Sequence, residues 1–563
     1  MTSKRPKALL ATASVAVALA AADTYVVVLA LPDMMKGVGL GIDALQKATP
    51  IISGFLLGYI AVLPLIGRLA DLVDRQRILL WCLALFTAGS AITGVAVDLP
   101  VLVAGRVLQG IGGGGLVPAT LAIVASLWPV GRRGTAFGVV GAVQEVGSVL
   151  GPLFGAAILH AWDWRMIFWI NGIGGIVLAL LIRAAGGPST ASQHASPAPK
   201  WWHALTALAG LATIALLGLA LIAPEALTTS IAYGDPFVPY EGHTARLMTP
   251  IGLWGLSALA VLIALSTRYW WPILRRADLF GALLIVTVLG CLVLTFSSAN
   301  PETEVVGPMG FWLVPLAVVA AGLYWWWHRR AAQPLIARAA VVGRVLPALV
   351  VSLLVGTVIV AIVVDVPILA RITVTDSQTE AAVILVRFLI AVPVGALLGG
   401  WLLRRVGPGL VAGGGMALAA IGLFMMSRWT GNVLDSLHAT IVLVLVGLGV
   451  GLAIAPVNDA ALADASEDDH GVTSSLIVVA RMVGMVVGLA LLTAIGLHQY
   501  YAEISALDAP TAADYKAAGI RQVDTVFLGA AIAATVAALV SWFLGRERLV
   551  VDADSEVRAL SRV

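Results

Sequence analysis

Long apolar runs, each ended by a short polar or Gly/Pro-containing break, follow one another along almost the whole chain. A helix needs about 20 mostly apolar residues to cross the hydrocarbon core of a bilayer. Division at the breaks predicts sixteen helices, near residues 8–32, 50–70, 77–97, 101–127, 134–160, 165–184, 201–222, 250–267, 279–298, 310–328, 345–371, 380–403, 409–427, 438–462, 471–498 and 522–545. The pattern is that of a protein that crosses a membrane many times.

The first apolar run follows three basic residues, Lys4, Arg5 and Lys7, as the core of a signal peptide does. It continues through Asp23 to Pro32, however, which is too long for a signal core. We therefore interpret this run as the first membrane helix.

Composition agrees with a membrane protein and argues against several other classes. Of the 563 residues, 60% are apolar and 12% are charged, about half the charged fraction of a soluble globular protein. The net charge of +3 is small, so we expect no nucleic-acid partner. Cys82 and Cys291 lie inside apolar runs and are interpreted as core residues. There is no G-x-x-x-x-G-K-S/T phosphate loop, metal cluster or nucleophile–base pair, so we expect neither a cofactor, a metal nor an enzyme.

Basic residues are unequally divided between the two sides of the predicted membrane. Segments on the side of the N-terminus carry 23 Lys and Arg, and the opposite segments carry 8. Lys and Arg accumulate in cytoplasmic loops, so both termini are predicted to be cytoplasmic in a bacterial inner membrane. The loop 463–470 is acidic and departs from this trend.

A weak internal repeat indicates the architecture. The tight, basic, Gly-led turns at 67–77 and 399–407 occupy equivalent places when six helices are counted from each end. This layout is typical of two parallel six-helix halves around a central path. The predicted divisions are an N-terminal half (1–184), a linker with four further helices (185–344), a C-terminal half (345–545) and a cytoplasmic tail (546–563), with residues 186–200 as a flexible part of the linker.

The turn at 67–77 resembles motif A of the major facilitator superfamily. Gly67 permits close approach of helices, while Asp71, Arg75 and Arg77 can form a charge-and-dipole latch between the two halves at the cytoplasmic face. The alternative is an ordinary basic loop that only sets topology. Asp74 stands where the family has its second glycine, which leaves the turn geometry open.

Three further segments resemble motifs of this superfamily in the expected order. They are Arg106 to Gly110 with Gln109 and Pro118 (motif B), Gly147, Gly151, Pro152 and Gly155 (the antiporter motif C), and Asp23 through Pro32 (the first-helix signature of the fourteen-helix drug exporters). The resemblance covers both halves and implies an all-α facilitator fold with additional linker helices.

The run Gly110 to Gly115 also fits a dinucleotide G-x-G-x-x-G pattern. It lies within an apolar span with no strand before it, so we interpret the small residues as sites of close helix packing.

Six charged residues lie well within predicted helices: Asp23, Arg106, Glu145, Asp365, Arg387 and Arg481. Burying an unpaired charge in a bilayer is costly, so such groups pair, face a cavity or titrate. Asp23, Glu145 and Arg481 lie about 15–22 Å from the cytoplasmic side at 1.5 Å per residue. They are predicted to form an ion lock across the path, and the alternative is a static buried salt bridge. Asp365 and Arg387 lie nearer the external ends of their helices, and each is predicted to have either a gating or a structural role.

Other segments resemble mycobacterial facilitators that export triacylglycerides together with a periplasmic lipoprotein. They are residues 23–28, 144–145, 164–171, 388–393 and 478–482. That resemblance implies the coupling ion lock of Asp23, Glu145 and Arg481, and family analogy also implies that Arg106 couples protons.

Departures from the relatives act in both directions. Tyr25 and Val28 stand where the drug exporters have Thr and Asn, which argues against the drug interpretation. Against the lipid exporters, the external segment 499–521 is shorter and residues 201–268 add a hairpin, so the lipoprotein partner is less secure than transport itself.

The sequence therefore predicts a monomeric six-four-six facilitator that exports a lipid or another strongly apolar molecule by alternating access coupled to protons. A multidrug/proton antiporter is the alternative within this class. A passive lipid scramblase or a membrane scaffold would need no charged residues at the midplane.

Labelling of introduced cysteines with a membrane-impermeant reagent tests the topology. Loops 223–249 and 299–309 should both react from outside intact cells. An odd number of predicted helices precedes each loop, which places both loops on the side opposite the cytoplasmic N-terminus. Reaction of either loop only from the cytoplasmic side would contradict this order.

Overall fold

The computed structural model of the chain describes residues 4–40, 45–128, 133–185, 199–229, 234–240, 245–297, 309–336, 338, 341, 343–375, 378–403, 405–429, 433–466, 469–507 and 511–545. Most of the predicted flexible linker (186–198) and the predicted tail (546–563) lie outside these residues.

Helices make up nearly all of the described chain. In order they are α1 (Lys4–Gly37), α2 (Leu45–Ala61), α3 (Leu63–Leu72), α4 (Arg75–Val95), α5 (Leu99–Leu127), α6 (Arg133–Ala161), α7 (Arg165–Ala185), α8 (Lys200–Ile222), the short α9 (Glu225–Thr228), α10 (Pro250–Leu274), α11 (Leu279–Ser297), α12 (Gly310–Arg330), α13 (Val345–Thr373), α14 (Gln378–Leu402), α15 (Pro408–Met426), α16 (Leu437–Asp464), α17 (His470–Ser505) and α18 (Ala512–Ser541). Short 3-10 turns lie at Asp235–Phe237, Arg246–Met248, Val433–Asp435 and Trp542–Leu544.

All sixteen predicted segments are helical in the structure. The second of them is α2 and α3 together, interrupted at Val62, where Pro64 begins the new helix. Fourteen spans are long and apolar enough to cross a membrane among the described residues. The other two predicted segments are α6, with 29 residues, and α11, whose apolar part is the shorter Leu279–Thr295.

The last two helices are longer than predicted. The segment 499–521 was expected to be an external loop, but α17 continues to Ser505 and α18 begins at Ala512. The charged side chains of this segment indicated that it lies in water. A helix can nevertheless continue into water when such side chains pair with each other. Here Arg521 Nε donates to Glu503 Oε2 at 2.5 Å and ties the two extensions together.

Packing divides the long helices into two bundles and a linker. In the first bundle α1 packs against α6, and α5 packs against α2 and α4. In the second bundle α13 packs against α17, and α15 packs against α16 and α18. In the linker α8 packs against α10, as the predicted additional hairpin, and α11 packs against α12. Helix α11 also contacts α2 and α17, so it covers a seam between the bundles.

The two repeated turns lie at two equivalent contacts between the bundles. A Cβ at Gly67 of α3 would come within 2.8 Å of Ser475 Cβ on α17. A Cβ at Gly400 of α14 would come within 3.2 Å of Gly138 Cα on α6. Each turn therefore brings a glycine against the first turns of a helix in the other bundle. Both contacts lie at the end of the molecule where α1 begins, which we name the predicted cytoplasmic face.

Glycines of α5 allow close packing on both sides, as the sequence predicted. A Cβ at Gly114 would come within 3.0 Å of Tyr59 Cα on α2. A Cβ at Gly112 would come within 2.7 Å of Phe86 Cα on α4. The packing interpretation of this run is confirmed, and α5 is the centre of the first bundle.

An alanine at Gly112 should destabilise the fold, because its methyl group would meet backbone atoms that cannot move independently. We expect a loss of about 1–3 kcal/mol in the free energy of unfolding. Gly322→Ala on α12 is the matched control, since no heavy atom lies within 4 Å of a Cβ there. Thermal unfolding in detergent measures both, and equal stability of the two variants would contradict the packing argument.

Candidate functional site

A cavity of about 250 Å³ lies between the two bundles. Helices α1, α2, α5 and α6 line it from the first bundle, and α13 and α17 line it from the second. Its wall is mostly aliphatic and aromatic, with charged and polar side chains from Arg106, Gln144, Glu145, Ser148 and Arg481. The contacts at the predicted cytoplasmic face separate this cavity from that end of the molecule.

Asp23 and Arg106 form a buried ion pair inside the first bundle. Arg106 Nη1 donates to Asp23 Oδ2 at 2.6 Å, and both residues are 1% exposed. The second carboxylate oxygen of Asp23 accepts from Asn171 Nδ2 on α7 at 2.6 Å. Breaking a buried ion pair on one side typically costs about 3–5 kcal/mol, so this pair holds α1, α5 and α7 together.

Further contacts hold Arg106 in place. Its Nη1 also donates to Gln109 Oε1 at 2.8 Å, and Gln109 Nε2 donates to Ser90 Oγ on α4 at 2.9 Å. The guanidinium carbon lies 4.3 Å from the ring centroid of Phe55 on α2, a cation–π contact. The motif B residues Arg106 and Gln109 thus belong to one polar network that reaches the cavity wall at Arg106.

Glu145 and Arg481 face the same cavity from opposite bundles. Arg481 Nη2 donates to Gln144 Oε1 at 3.4 Å, a long hydrogen bond that crosses between α17 and α6. Within the described residues, Glu145 and Arg481 do not approach within the 4.0 Å of an ion pair. Two opposite charges therefore share a cavity without being locked to each other in this conformation.

The structure gives Asp23 a different partner from the one expected. The sequence predicted that Arg481 would face both Asp23 and Glu145, but Asp23 is bound by Arg106 and Asn171. The prediction rested on the depth of each charge along its helix. Depth could not indicate the direction in which α1 points its carboxylate, and Arg106 of the same bundle lies closer.

Asp71 connects the two bundles at the predicted cytoplasmic face. Its Oδ1 accepts from Gly471 N at 2.6 Å and its Oδ2 accepts from Val472 N at 2.9 Å. These N–H groups belong to the first turn of α17, where no carbonyl group of the helix itself is available to accept from them. The N-cap residue of α17, Asp469, makes no side-chain cap. A carboxylate at a helix N-terminus is favoured by the helix dipole as well as by the hydrogen bonds. Asp71 thus caps α17 from the other bundle, and its gating role stays a prediction.

Other residues of the motif A turn make contacts in both bundles, since Arg68 Nη1 lies 3.9 Å from Asp469 Oδ1 at the start of α17. Arg75 Nη1 donates to Ala122 O on α5 at 3.2 Å. Asp74, which replaces the family glycine, caps α4 by accepting from the backbone N–H of Arg77 at 3.0 Å. The turn geometry left open by the sequence is therefore that of an ordinary helix N-cap.

A buried ion pair also crosses between the bundles at the same face. Arg133 Nε donates to Asp459 Oδ1 at 2.8 Å, and Nη2 donates to Asp459 O at 3.2 Å. Sequence reasoning missed this pair because Arg133 was assigned to a loop, whereas it is the first residue of α6. An acidic residue inside the apolar α16 was the signal that could have found Asp459.

The motif C glycines lie along the contact between α6 and α1. A Cβ at Gly147 would come within 2.7 Å of Ala18 Cα, and one at Gly151 would come within 3.1 Å of Ala22 Cα. At Gly155 the nearest atom is a methyl group of Val26 at 3.5 Å. The side chain of Pro152 lies outside the described residues, as do those of Tyr25 and Val28. Close packing of α6 therefore holds the part of α1 that carries Asp23.

Arg387 and Asp365 differ in their surroundings. Arg387 Nη1 donates to Leu434 O at 2.8 Å and to Thr440 Oγ1 at 3.0 Å, which ties α14 to the start of α16. These contacts favour the structural alternative for Arg387. Asp365 is buried in the second bundle, and its Oδ2 has no hydrogen-bond partner within the described part of the chain.

Comparison with known proteins identifies relatives over most of the chain. A model of the Major Facilitator Superfamily matches residues 13–327 and 307–489. The triacylglyceride transporter of Mycolicibacterium hassiacum is 35% identical over 514 residues, which are 89% of this chain and 82% of that protein. The triacylglyceride transporter of Mycobacteroides abscessus is 34% identical over 512 residues, covering 88% and 83%. That of Mycolicibacterium smegmatis is 32% identical over 557 residues, covering 93% and 85%.

Solved structures share the fold at low sequence identity. The proton:xylose symporter XylE has a TM-score of 0.57 and 13% identity, with 100% of both chains covered. The human organic anion transporter MFSD10 (TETRAN) has a TM-score of 0.55 and 14% identity, with 96% of this chain and 99% of that one covered. These similarities concern the arrangement of helices alone.

Asp71→Asn should loosen the predicted cytoplasmic face, because it removes the charge from the N-terminus of α17. We expect about a two- to fivefold rise in labelling of Ser475→Cys, which corresponds to the 0.5–1 kcal/mol of a charge–dipole contact. Asp74→Asn is the matched control, since Asn is an equally good N-cap. Unchanged labelling in Asp71→Asn would reduce this turn to a loop that sets topology.

A double-mutant cycle on unfolding in detergent tests the partner of Asp23. Asp23→Asn and Arg106→Gln should be coupled by about 1–3 kcal/mol, because they remove the same ion pair. Asp23→Asn and Arg481→Gln should add within about 0.5 kcal/mol, because they share no contact. The reverse result, coupling with Arg481 and additivity with Arg106, would contradict the pairing seen here.

Proposed function

The chain belongs to the major facilitator superfamily, and we propose that it exports a triacylglyceride or a similarly apolar lipid across the bacterial inner membrane. It is a multi-pass membrane transporter and not an enzyme. The substrate, the direction and the driving ion are the parts of the proposal that go beyond the family.

The chemistry of the cavity supports an apolar substrate. Phe55, Leu56, Met482, Met485 and Leu489 line it, and such side chains complement hydrocarbon without hydrogen bonds. Three relatives that are similar along most of their length are named as triacylglyceride transporters. A cavity of about 250 Å³ surrounds only part of a long-chain lipid, so transport requires the bundles to move further apart.

Proton coupling is proposed from the charges that face the cavity. An ionised Glu145 on α6 attracts Arg481 on α17, and this attraction draws the two bundles together. A proton taken up by Glu145 removes the attraction, which favours a change in the relative position of the bundles. Because each charge belongs to a different bundle, their interaction free energy depends on the conformational state, as coupling requires.

Asp23 and Arg106 act as a second unit in this proposal. Their ion pair neutralises the positive charge of Arg106 at the cavity wall. Protonation of Asp23 would release Arg106 toward the cavity, whose lining includes the carboxylate of Glu145. The ion lock is therefore proposed as two linked pairs, Asp23 with Arg106 and Glu145 with Arg481.

A periplasmic lipoprotein partner stays a proposal, and the extended ends of α17 and α18 are the surface that suits it. The 36 residues of α17 span about 54 Å, well beyond a bilayer core of about 30 Å. A capping box at Thr511 and Asp514 starts α18 and orders the tip of this projection.

The single observation that carries the proposal is that Glu145 and Arg481 face one apolar cavity from opposite bundles. Glu145→Gln should abolish the stimulation of triacylglyceride movement by a proton gradient in proteoliposomes, because glutamine cannot ionise. Ser148→Ala, one turn along α6 on the same cavity, is the matched control and should retain the stimulation.

Other outcomes of the same experiment identify the alternatives. Gradient-driven movement of cationic amphipathic drugs, without movement of triacylglyceride, would favour a multidrug/proton antiporter. Lipid movement that ignores the gradient in both the wild type and Glu145→Gln would indicate a passive scramblase and overturn the proposal.

A further inference from the structure

Arg481 lies between two spaces. Besides the central cavity, it lines a second pocket of about 20 Å³ on the side of the predicted cytoplasmic face. Residues of α13, α16 and α17, all of the second bundle, line this pocket, and its polar members besides Arg481 are Ser352 and Asn458. The side chain of Arg481 therefore separates the cavity from a small polar space behind it.

Asn458 presents an unused acceptor in this pocket. Its Nδ2 donates to Ile454 O at 3.0 Å, while its Oδ1 has no partner among the described residues. The residue is 7% exposed, and its Oδ1 atom is buried. Ser352 Oγ donates to Ile477 O at 2.8 Å and keeps its lone pairs for a further donor. Buried amide oxygens are rarely left without a donor.

The pocket has the size and polarity of a site for one water molecule. A buried water needs about 10–15 Å³ and two to four polar partners, and this pocket has about 20 Å³. Asn458 Oδ1 and Ser352 Oγ can accept from a water, and the guanidinium of Arg481 can donate to it. We propose that one water binds here between Asn458 and Arg481, and that it becomes the partner of Arg481 when Glu145 takes up a proton.

This role rests on the proposed proton coupling. A proton that arrives through the cavity forms an O–H bond on Glu145 and cancels its charge, while Arg481 keeps its own proton. A guanidinium that no longer has an ionised carboxylate facing it across an apolar cavity needs another acceptor. The Asn458 water supplies one on the other side of Arg481, so Asn458 is a positioning residue for the coupling arginine.

The charged and titratable groups around Arg481 are few. Glu145 on α6, Tyr59 on α2 and Arg106 on α5 face it across the cavity. On α16, Asp459 is engaged by Arg133. Among the described residues, α13 contributes no titratable side chain to either space. Gln144 Oε1 on α6 is a neutral acceptor for Arg481 on the cavity side, at 3.4 Å, and Asn458 with its water is the neutral acceptor that we propose on the other side.

A density map of the wild-type protein at a resolution that shows water tests the site itself. A peak within hydrogen-bond distance of both Asn458 Oδ1 and the Arg481 guanidinium is expected, and a map with no peak there would overturn the site. This measurement does not depend on transport, so it decides the water independently of the proposed function.

Asn458→Leu tests the role of the water, because leucine is of similar size and cannot accept a hydrogen bond. We expect gradient-driven lipid transport to fall about tenfold, the effect of losing one hydrogen bond to a charged group. Lipid exchange without a gradient should stay within about twofold of the wild type. Val457→Ala, which widens the same pocket but keeps Asn458, is the matched control, and Asn458→Ser should restore part of the coupling.

Three outcomes contradict the role. Normal gradient-driven transport in Asn458→Leu would overturn it, and an equal loss in Val457→Ala would make the effect one of packing. If the wild type shows exchange but no response to a proton gradient, the proposed coupling fails together with this role. Should Asn458→Leu lose exchange as well, Asn458→Val, which lacks an acceptor, is compared with Asn458→Ser, which keeps one, because both side chains are small enough to fit the site.

Discussion

The free-energy cost of a charge inside an apolar membrane governs how this molecule is built. Asp23 and Arg106 meet that cost by pairing within one bundle, and Arg133 and Asp459 meet it by pairing across two. Glu145 and Arg481 instead face a shared cavity from opposite bundles. A pair within one rigid body holds that body together, whereas charges on two bodies respond to their relative position. The same free-energy cost thus stabilises one bundle internally and makes the contact between the two bundles depend on their relative position.

Contacts at the predicted cytoplasmic face complete this arrangement. Two glycine contacts, at Gly67 and Gly400, let helices of opposite bundles approach to backbone distance. Polar contacts then fix the approach, since Asp71 caps α17 and Arg133 binds Asp459. Apolar side chains of the second bundle, Leu462 and Val478 among them, also belong to the buried apolar cluster of the first bundle. Directional polar contacts and apolar packing therefore act together at this face.

Hydropathy and spacing could predict the helices, and motif order could predict the superfamily, because both depend on features local to the chain. The glycine packing of α5 was predictable for the same reason. The partner of Asp23 was not, because depth along a helix does not set the direction of a side chain around its axis. The pairing of Arg133 with Asp459 joins residues far apart in sequence, and a loop boundary misplaced by one residue was enough to hide it. The extensions of α17 and α18 were missed because they carry polar residues, among them the ion pair between Arg521 and Glu503 that joins the two helices, and no apolar run marks them.

The most direct test of the account is the distance between spin labels at Ser126 and Ser466, two exposed positions at the predicted cytoplasmic ends of α5 and α16. If protonation of Glu145 removes its attraction for Arg481, lowering the pH should shift the wild-type distance distribution toward longer values. Glu145→Gln should show that longer distribution at every pH, because glutamine carries no charge that could attract Arg481. A Glu145→Gln protein whose distances still follow pH as the wild type does would contradict the account.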